Sequence, residues 1–174
     1  AIGPHSVILR TLVLLEFRTH GKWIFAGEHT VLRGGEALVF PVQSRFLDFK
    51  FEEGGDSLVL DIASQQPGLE MAFWGVLEKA LQFLSIDRDE LKGRISLKSN
   101  IPVGAGMGAS ATLCASLARF FVARGELNKS GSYEFAKSLE DLFHGESSGV
   151  DVAVALENQP LRFRRPDFME SFSP

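Results

Sequence analysis

A glycine-rich segment, Ile101 to Thr112 (IPVGAGMGASAT), separates a strand-like run, Ile95 to Leu97, from an apolar helical stretch, Leu113 to Val122. That order constrains the chain more than any other feature, because a strand has to end, the backbone has to turn, and a helix has to begin within a few residues. Gly104, Gly106 and Gly108 occupy alternate positions, so the backbone can take positive φ and approach a ligand without Cβ clashes. Such a turn at a helix N-terminus can wrap backbone N–H groups around a phosphate, and the helix field adds to the attraction. The segment points to a phosphorylated ligand. A plain glycine-rich turn is the structural alternative.

Two better-known phosphate motifs fit poorly. Gly104-x-Gly106-x-x-Ala109 matches a dinucleotide-binding turn locally, but that reading needs a following strand and an acidic residue roughly 20 positions on. Glu126 is available, yet the stretch around it, RGELNKSGSYE, is turn-like. A Walker-type loop needs Lys and then Ser or Thr after its last glycine. Here Gly108 is followed by Ala109 and Ser110, so a cation facing the phosphates has to come from elsewhere.

Two further segments offer charged groups. In HGKWIFAGEHTVLRGG, His20 to Gly35, Lys22 precedes an apolar run and Glu28-His29 follow Gly27. A strand flanked by glycines could hold Lys22 and the Glu28-His29 pair at one rim, or it is an edge strand with a solvated lysine. In LEDLFHGESSGVDVAVAL, Leu139 to Leu156, Glu140 and His144 are four apart on one helix face, and Gly145 and Gly149 then break the helix. Asp151 stands directly before VAVAL, where an unpaired carboxylate is costly and wants a cation. Its structural alternative is a helix N-cap after the Ser147-Ser148-Gly149 turn.

Taken together and in this order, the three segments resemble the GHMP kinases, over roughly residues 7 to 160. PVGAGMGAS at Pro102 to Ser110 is similar to the family's phosphate loop. HGKWIFAGEHTVLRGG and FHGESSGVD are similar to the first and third conserved stretches of its mevalonate-kinase branch. The resemblance implies Mg²⁺-ATP as cofactor and a small-molecule acceptor, mevalonate by preference. It gives Asp151 the role of general base and Lys22 that of its cationic partner. Pro102, Gly104, Ala105, Gly106, Met107, Gly108, Ala109 and Ser110 would surround the phosphates. Ser110 and Glu140 would bind Mg²⁺, and Glu28, His29 and Ser148 would lie on the acceptor side. These roles are coherent, since phosphoryl transfer needs positioning and charge neutralisation more than covalent help, and Mg²⁺ accepts one or two protein oxygens beside phosphates and waters.

The pattern also departs from the family's. His20 replaces a proline, Ala109 a serine, Glu146-Ser147 a residue-proline pair, and Val152 a common asparagine, none of which removes a proposed catalytic group. Val31-Leu32 stand where galactokinases place the Asp-Tyr that holds a sugar, which favours a small branched acid over a polyol. A third glycine-rich motif of the family is absent. The expectation is therefore that residues 1–174 form the N-terminal ATP-binding domain of a longer kinase lacking its C-terminal domain, weakly active or inactive alone.

With 174 residues, 45% of them hydrophobic, the chain can bury a real core as one domain. A net charge of −4 gives no reason to expect nucleic acid or an anionic membrane as partner. The basic group Arg162, Arg164 and Arg165 reads as a solvated terminal strand. Cys114 is the one cysteine and reads as core filling, with no disulfide framework and a cytoplasmic, reducing location expected. Leu12 to Leu15 is far too short to span a bilayer. A homodimer is compatible with the resemblance.

Periodicity predicts strands over 7–17, 22–27, 36–42, 45–53 and 57–63, a helix over 69–85, a strand over 93–99, and helices over 108–124, 133–144 and 149–157. Met71, Trp74, Leu77, Leu81 and Leu84 mark the expected core stripe of the first helix. Phe17, Phe25, Phe40, Phe46, Phe49 and Phe51 are expected mostly in the core. Strands followed by helices give an α+β fold, a mixed sheet with helices covering one face, as the resemblance to the GHMP N-terminal domain also implies.

Overall fold

The computed structural model describes residues 14–63, 68–166 and 168–173. In chain order the elements are β1 (Leu14–Ala26), β2 (Glu36–Glu53), β3 (Leu58–Ile62), α1 (Leu69–Leu84), β4 (Gly93–Ser99), α2 (Ala109–Ala123), α3 (Ser132–His144), α4 (Val150–Glu157), β5 (Leu161–Arg164) and β6 (Phe168–Ser171). The expected α+β architecture is present. The strands form one mixed six-stranded sheet in the order β3-β4-β2-β5-β6, with β1 paired to β2. Only β3 and β4 are parallel, joined through α1; the remaining pairs are antiparallel.

The long strand β2 organises the sheet. Its C-terminal half, Leu47 to Glu53, pairs with β4, its N-terminal end, Glu36 to Val39, pairs with β5, and β1 pairs along both halves. The predicted pairs of shorter strands are here single strands. The breaks left by the prediction, residues 18–21 in β1 and Gln43-Ser44 in β2, meet at one shared irregularity: His20 lies opposite Phe46, and Gly21 opposite Val42. Residues 7–13 of the first predicted strand lie outside the described residues.

One face of this sheet carries the core. Leu47, Phe49 and Phe51 of β2 with Ile95 and Leu97 of β4 meet Phe73 and Leu77 of α1, Leu117, Phe120 and Phe121 of α2, and Phe135 of α3. Phe120 stacks between Phe49 and Phe51, with ring centroids 5.4 and 5.0 Å away. Each ring so buried stabilises the fold by roughly 1.5–3 kcal/mol. A second cluster joins Val150, Ala153 and Val154 of α4 to Ala37 and Val39 of β2, Leu161 and Phe163 of β5, and Val31. Cys114 is buried as expected.

Several core expectations are corrected. Of the expected stripe of α1, Leu77 and Leu81 are buried and Trp74 and Leu84 pack against the core, but Met71 is 81% exposed; Leu69, Phe73, Val76 and Ala80 complete the buried face. Of the six strand phenylalanines only Phe49 and Phe51 are fully buried. Phe25 and Phe40 lie with Trp23 and Phe172 in a separate group of edge-to-face and tilted ring contacts, and Phe25 and Trp23 are exposed. The arginines of β5 pair with Glu36 and Glu170, as a solvated strand does. Among the described residues no helix is long and apolar enough to cross a membrane.

Candidate active site

The phase of β1 places the first functional group. Strict alternation from buried Thr19 would turn Gly21 and Trp23 inward, but the register shift at His20/Gly21 instead buries Lys22 and leaves Trp23 outside. Gly21 is required there by close approach: a Cβ would stand 2.9 Å from the Met107 carbonyl oxygen. Lys22 N–H donates to that same oxygen at 3.0 Å. Strand β1 is thus docked directly on the glycine-rich loop.

The loop meets α2 at Gly108, whose φ of +77° lies in the left-handed region open chiefly to glycine. A Cβ on Gly108 would come 3.0 Å from Cγ of Lys22. Thr112 N–H donates to the Gly108 carbonyl, so the N–H groups of the preceding helix residues lack intrahelical partners, as at any helix N-terminus. This end of the helix borders a cavity of about 510 Å³ lined by Pro102, Gly104, Gly106, Met107, Gly108, Ala109 and Ser110 together with Asp151, His144 and Phe143. Ala105 is exposed and does not line it.

Asp151 reaches this cavity from the first turn of α4. It is not an N-cap: the cap position is Gly149, with no side-chain cap bond, and Ser148 Oγ instead accepts from Val150 N–H at 3.3 Å. Lys22 Nζ lies 3.1 Å from Asp151 Oδ1, with the lysine side chain 7% exposed. Burial pushes the Asp151 carboxyl above its ordinary range, and Lys22 opposes that shift; Glu28 adds to it and His144 counters it. Glu140 of α3 is 2% exposed, and its Oε2 has no hydrogen-bond partner. Desolvation first, and then Asp151, push its pKa up to about 8, against the pull of Lys22. Two carboxyl groups therefore share the field of one lysine in a poorly solvated place, where Glu140 holds a proton near neutral pH unless another cation joins them.

The loop that delivers Asp151 is held from α3. Asp141 Oδ1 accepts from Ser147 N–H at 2.8 Å and Lys137 Nζ bonds Asp141 Oδ2 at 3.2 Å. Burial works against ionisation of Asp141, but these bonds outweigh it and its pKa is lowered.

Among the residues singled out from sequence, Lys22, Asp151 and Glu140 converge, and Pro102, Gly104 and Gly106 to Ser110 line the cavity beside them. Glu28 and His29 are exposed; Glu28 lies close enough to act on Asp151 electrostatically. Val31 is 0% exposed in the second core cluster. It lines no acceptor pocket, so the argument that its side chain selects a branched acid falls away. His144 escaped assignment: its Nε2 lies 3.4 Å from Ser110 Oγ. Its place four residues after Glu140 was the available signal.

Comparison with known proteins gives the family of the chain. Residues 72–159 match the GHMP kinases N-terminal domain. The chain belongs to the GHMP kinases. A mevalonate kinase of Aeropyrum pernix is 31% identical over 163 residues, covering 83% of this chain and 49% of that protein. The crystal structure of Methanococcus jannaschii mevalonate kinase superposes with a TM-score of 0.76 at 16% identity, over 93% of this chain and 56% of that one. Lactococcus lactis galactokinase, complexed with galactose, superposes at 0.68 with 16% identity, over 86% and 44% of the two chains. The chain spans about half the length of the curated relatives it matches.

Proposed function

We propose that these residues form the N-terminal domain of a Mg²⁺-ATP-dependent kinase that phosphorylates the hydroxyl of mevalonate. The observation that carries the reading is the Lys22–Asp151 pair, 3.1 Å apart, beside a glycine-rich helix N-terminus. The residues fit the cofactor: Gly104 and Gly106 have positive φ and nothing near where a Cβ would be, and the partnerless, buried Glu140 carboxyl suits a divalent cation. Ser110 and Glu140 would hold the Mg²⁺, and the loop N–H groups the phosphates. When bound, the metal nucleotide supplies the phosphoryl group and neutralises charge.

Asp151 accepts the proton of the acceptor hydroxyl at Oδ. Its raised pKa makes it a better base than an exposed aspartate, which suits general-base chemistry near neutral pH. Lys22 keeps that carboxyl ionised and offsets the negative charge gathering at the reacting oxygens. Glu28, His29 and Ser148 flank the acceptor. The 31% identical relative supports mevalonate. A sugar or phosphomevalonate acceptor is the second reading, left open because Val31 is buried in the core and so does not discriminate between acceptors.

Coupled ADP release by the full-length gene product, with Mg²⁺-ATP and mevalonate, phosphomevalonate, galactose or homoserine, tests both. Turnover with mevalonate is expected. Turnover with another acceptor alone moves the substrate and keeps the chemistry. ATP binding with no turnover on any acceptor would mean a non-catalytic nucleotide-binding module.

A further inference from the structure

Arg119 lies on α2 where that helix meets both β1 and α4. Its Nη1 donates to the Arg18 carbonyl at 3.2 Å and to Thr19 Oγ1 at 2.8 Å. Its Nη2 donates to the carbonyls of Ala155 at 2.9 Å and Leu156 at 2.8 Å. The first two acceptors precede Lys22 by four and three residues on the same strand, and the second two follow Asp151 by four and five on the same helix. A single planar group thus grips the two elements that carry the Lys22–Asp151 pair.

The grip is directional. Ala155 and Leu156 sit in the last turn of α4, where carbonyls run out of intrahelical donors and a cation is favourable. On the other side, Ser116 Oγ donates to the Thr112 carbonyl at 2.7 Å, so its only hydroxyl proton is used and Thr19 Oγ1 must donate to Ser116, 2.9 Å away. Thr19 then accepts from Arg119. The orientation runs unbroken from Arg119 through Thr19 and Ser116 to the backbone of α2 near the glycine loop. Elsewhere Ile24 of β1 packs on the α4 cluster through apolar contact, which resists separation but tolerates sliding. Two other polar ties join these elements, the exposed contact of His20 Nδ1 with Asn158 Oδ1 at 2.7 Å and the Lys22–Asp151 pair itself at 3.1 Å. Arg119 adds bonds to both elements from one rigid group, and bonds of fixed direction resist sliding of α4 against β1.

We propose that Arg119 is a positioning residue: its guanidinium fork fixes the strand bearing Lys22 to the helix bearing Asp151, and so sets the separation of those two groups. The geometric part stands on the hydrogen bonds; the kinetic part rests on the proposed kinase function. A lysine at this place would restore the charge but could not span both pairs of acceptors with its single ammonium. A displacement near 1 Å at reacting groups costs on the order of 100-fold in rate.

The test uses the full-length enzyme with Arg119→Lys, Arg119→Met and Thr19→Val. Expected are a fall in kcat of roughly 10- to 100-fold for both Arg119 variants, a smaller fall for Thr19→Val, and little change in KM for ATP. A crystal structure of Arg119→Lys should show Lys22 and Asp151 out of ion-pair distance. Wild-type kcat in Arg119→Lys, or a kcat retained with KM for ATP raised, would overturn the proposal. If Arg119→Met does not fold, Arg119→Lys and Thr19→Val decide. If the unaltered enzyme turns over no acceptor, the function reading has failed, and the Lys22–Asp151 distance in Arg119→Lys decides the positioning claim: unchanged, it overturns it.

Discussion

Lys22 and Arg119 are two cations withdrawn from water at the junction of β1 and α4, and their surroundings differ in kind. Arg119 is satisfied in place: its bonds go to three carbonyls and one hydroxyl, and Glu157 acts on it through its field. Lys22 has one carboxylate at 3.1 Å and a second, Glu140, in its field with an oxygen left unpartnered. A cation that holds elements together is completed by neutral acceptors. A cation that takes part in chemistry sits among groups left incomplete, whose pKa values are displaced as a result.

The contrast predicts different losses. The largest is expected for Lys22→Met in the full-length enzyme: turnover should fall by about 1,000-fold or more, as when a charge-stabilising donor is removed from a transition state, while the purified protein stays folded by circular dichroism. Equal loss of turnover and folding would make Lys22 structural like Arg119. Next, Arg119→Met should lower unfolding free energy by roughly 2–4 kcal/mol, since two helix-end carbonyls and the Thr19 hydroxyl lose a donor, and urea titration should give the same loss at pH 6 and pH 8.5.

Glu140→Gln should have a smaller effect of opposite sign, dependent on pH. Folding raises the Glu140 pKa from 4.5 to about 8, so the folded state keeps a proton that the unfolded state releases. Wild-type stability is therefore lost as pH rises from about 4.5 to about 8, and the glutamine variant escapes that loss. Without nucleotide, its gain over wild type should be absent near pH 4.5 and reach about 1–3 kcal/mol above pH 8. The same variant should bind Mg²⁺-ATP less tightly. A gain independent of pH would show that Glu140 ionises in the folded protein as it does in the unfolded one.

Much of this was legible in the residues. The strand–glycine–helix order, the helices after it and the need of Asp151 for a cation follow from local signals: glycine where positive φ is needed, apolar spacing, and a carboxylate too costly to leave alone; that Lys22, Glu140 and Asp151 belong to one site was implied by the family resemblance. What was not legible depends on long-range pairing. The predicted strands 36–42 and 45–53 leave Gln43-Ser44 as a break, yet β2 continues through it because β1 supplies a matching irregularity. That shift also decides that Lys22 is buried and Trp23 is not, against strict alternation. Val31 beside Glu28-His29 looks like a pocket residue but is drawn into the core by α4 and β5. Arg119, in an apolar helix, gave no signal because its acceptors are backbone carbonyls from distant segments.

The most direct test of the central claim is single-turnover phosphoryl transfer by full-length Asp151→Asn with Mg²⁺-ATP and mevalonate, with ATP affinity measured on the same sample. The account predicts transfer slowed by about 100- to 10,000-fold with ATP affinity close to that of the unaltered enzyme. Transfer at the unaltered rate would contradict it.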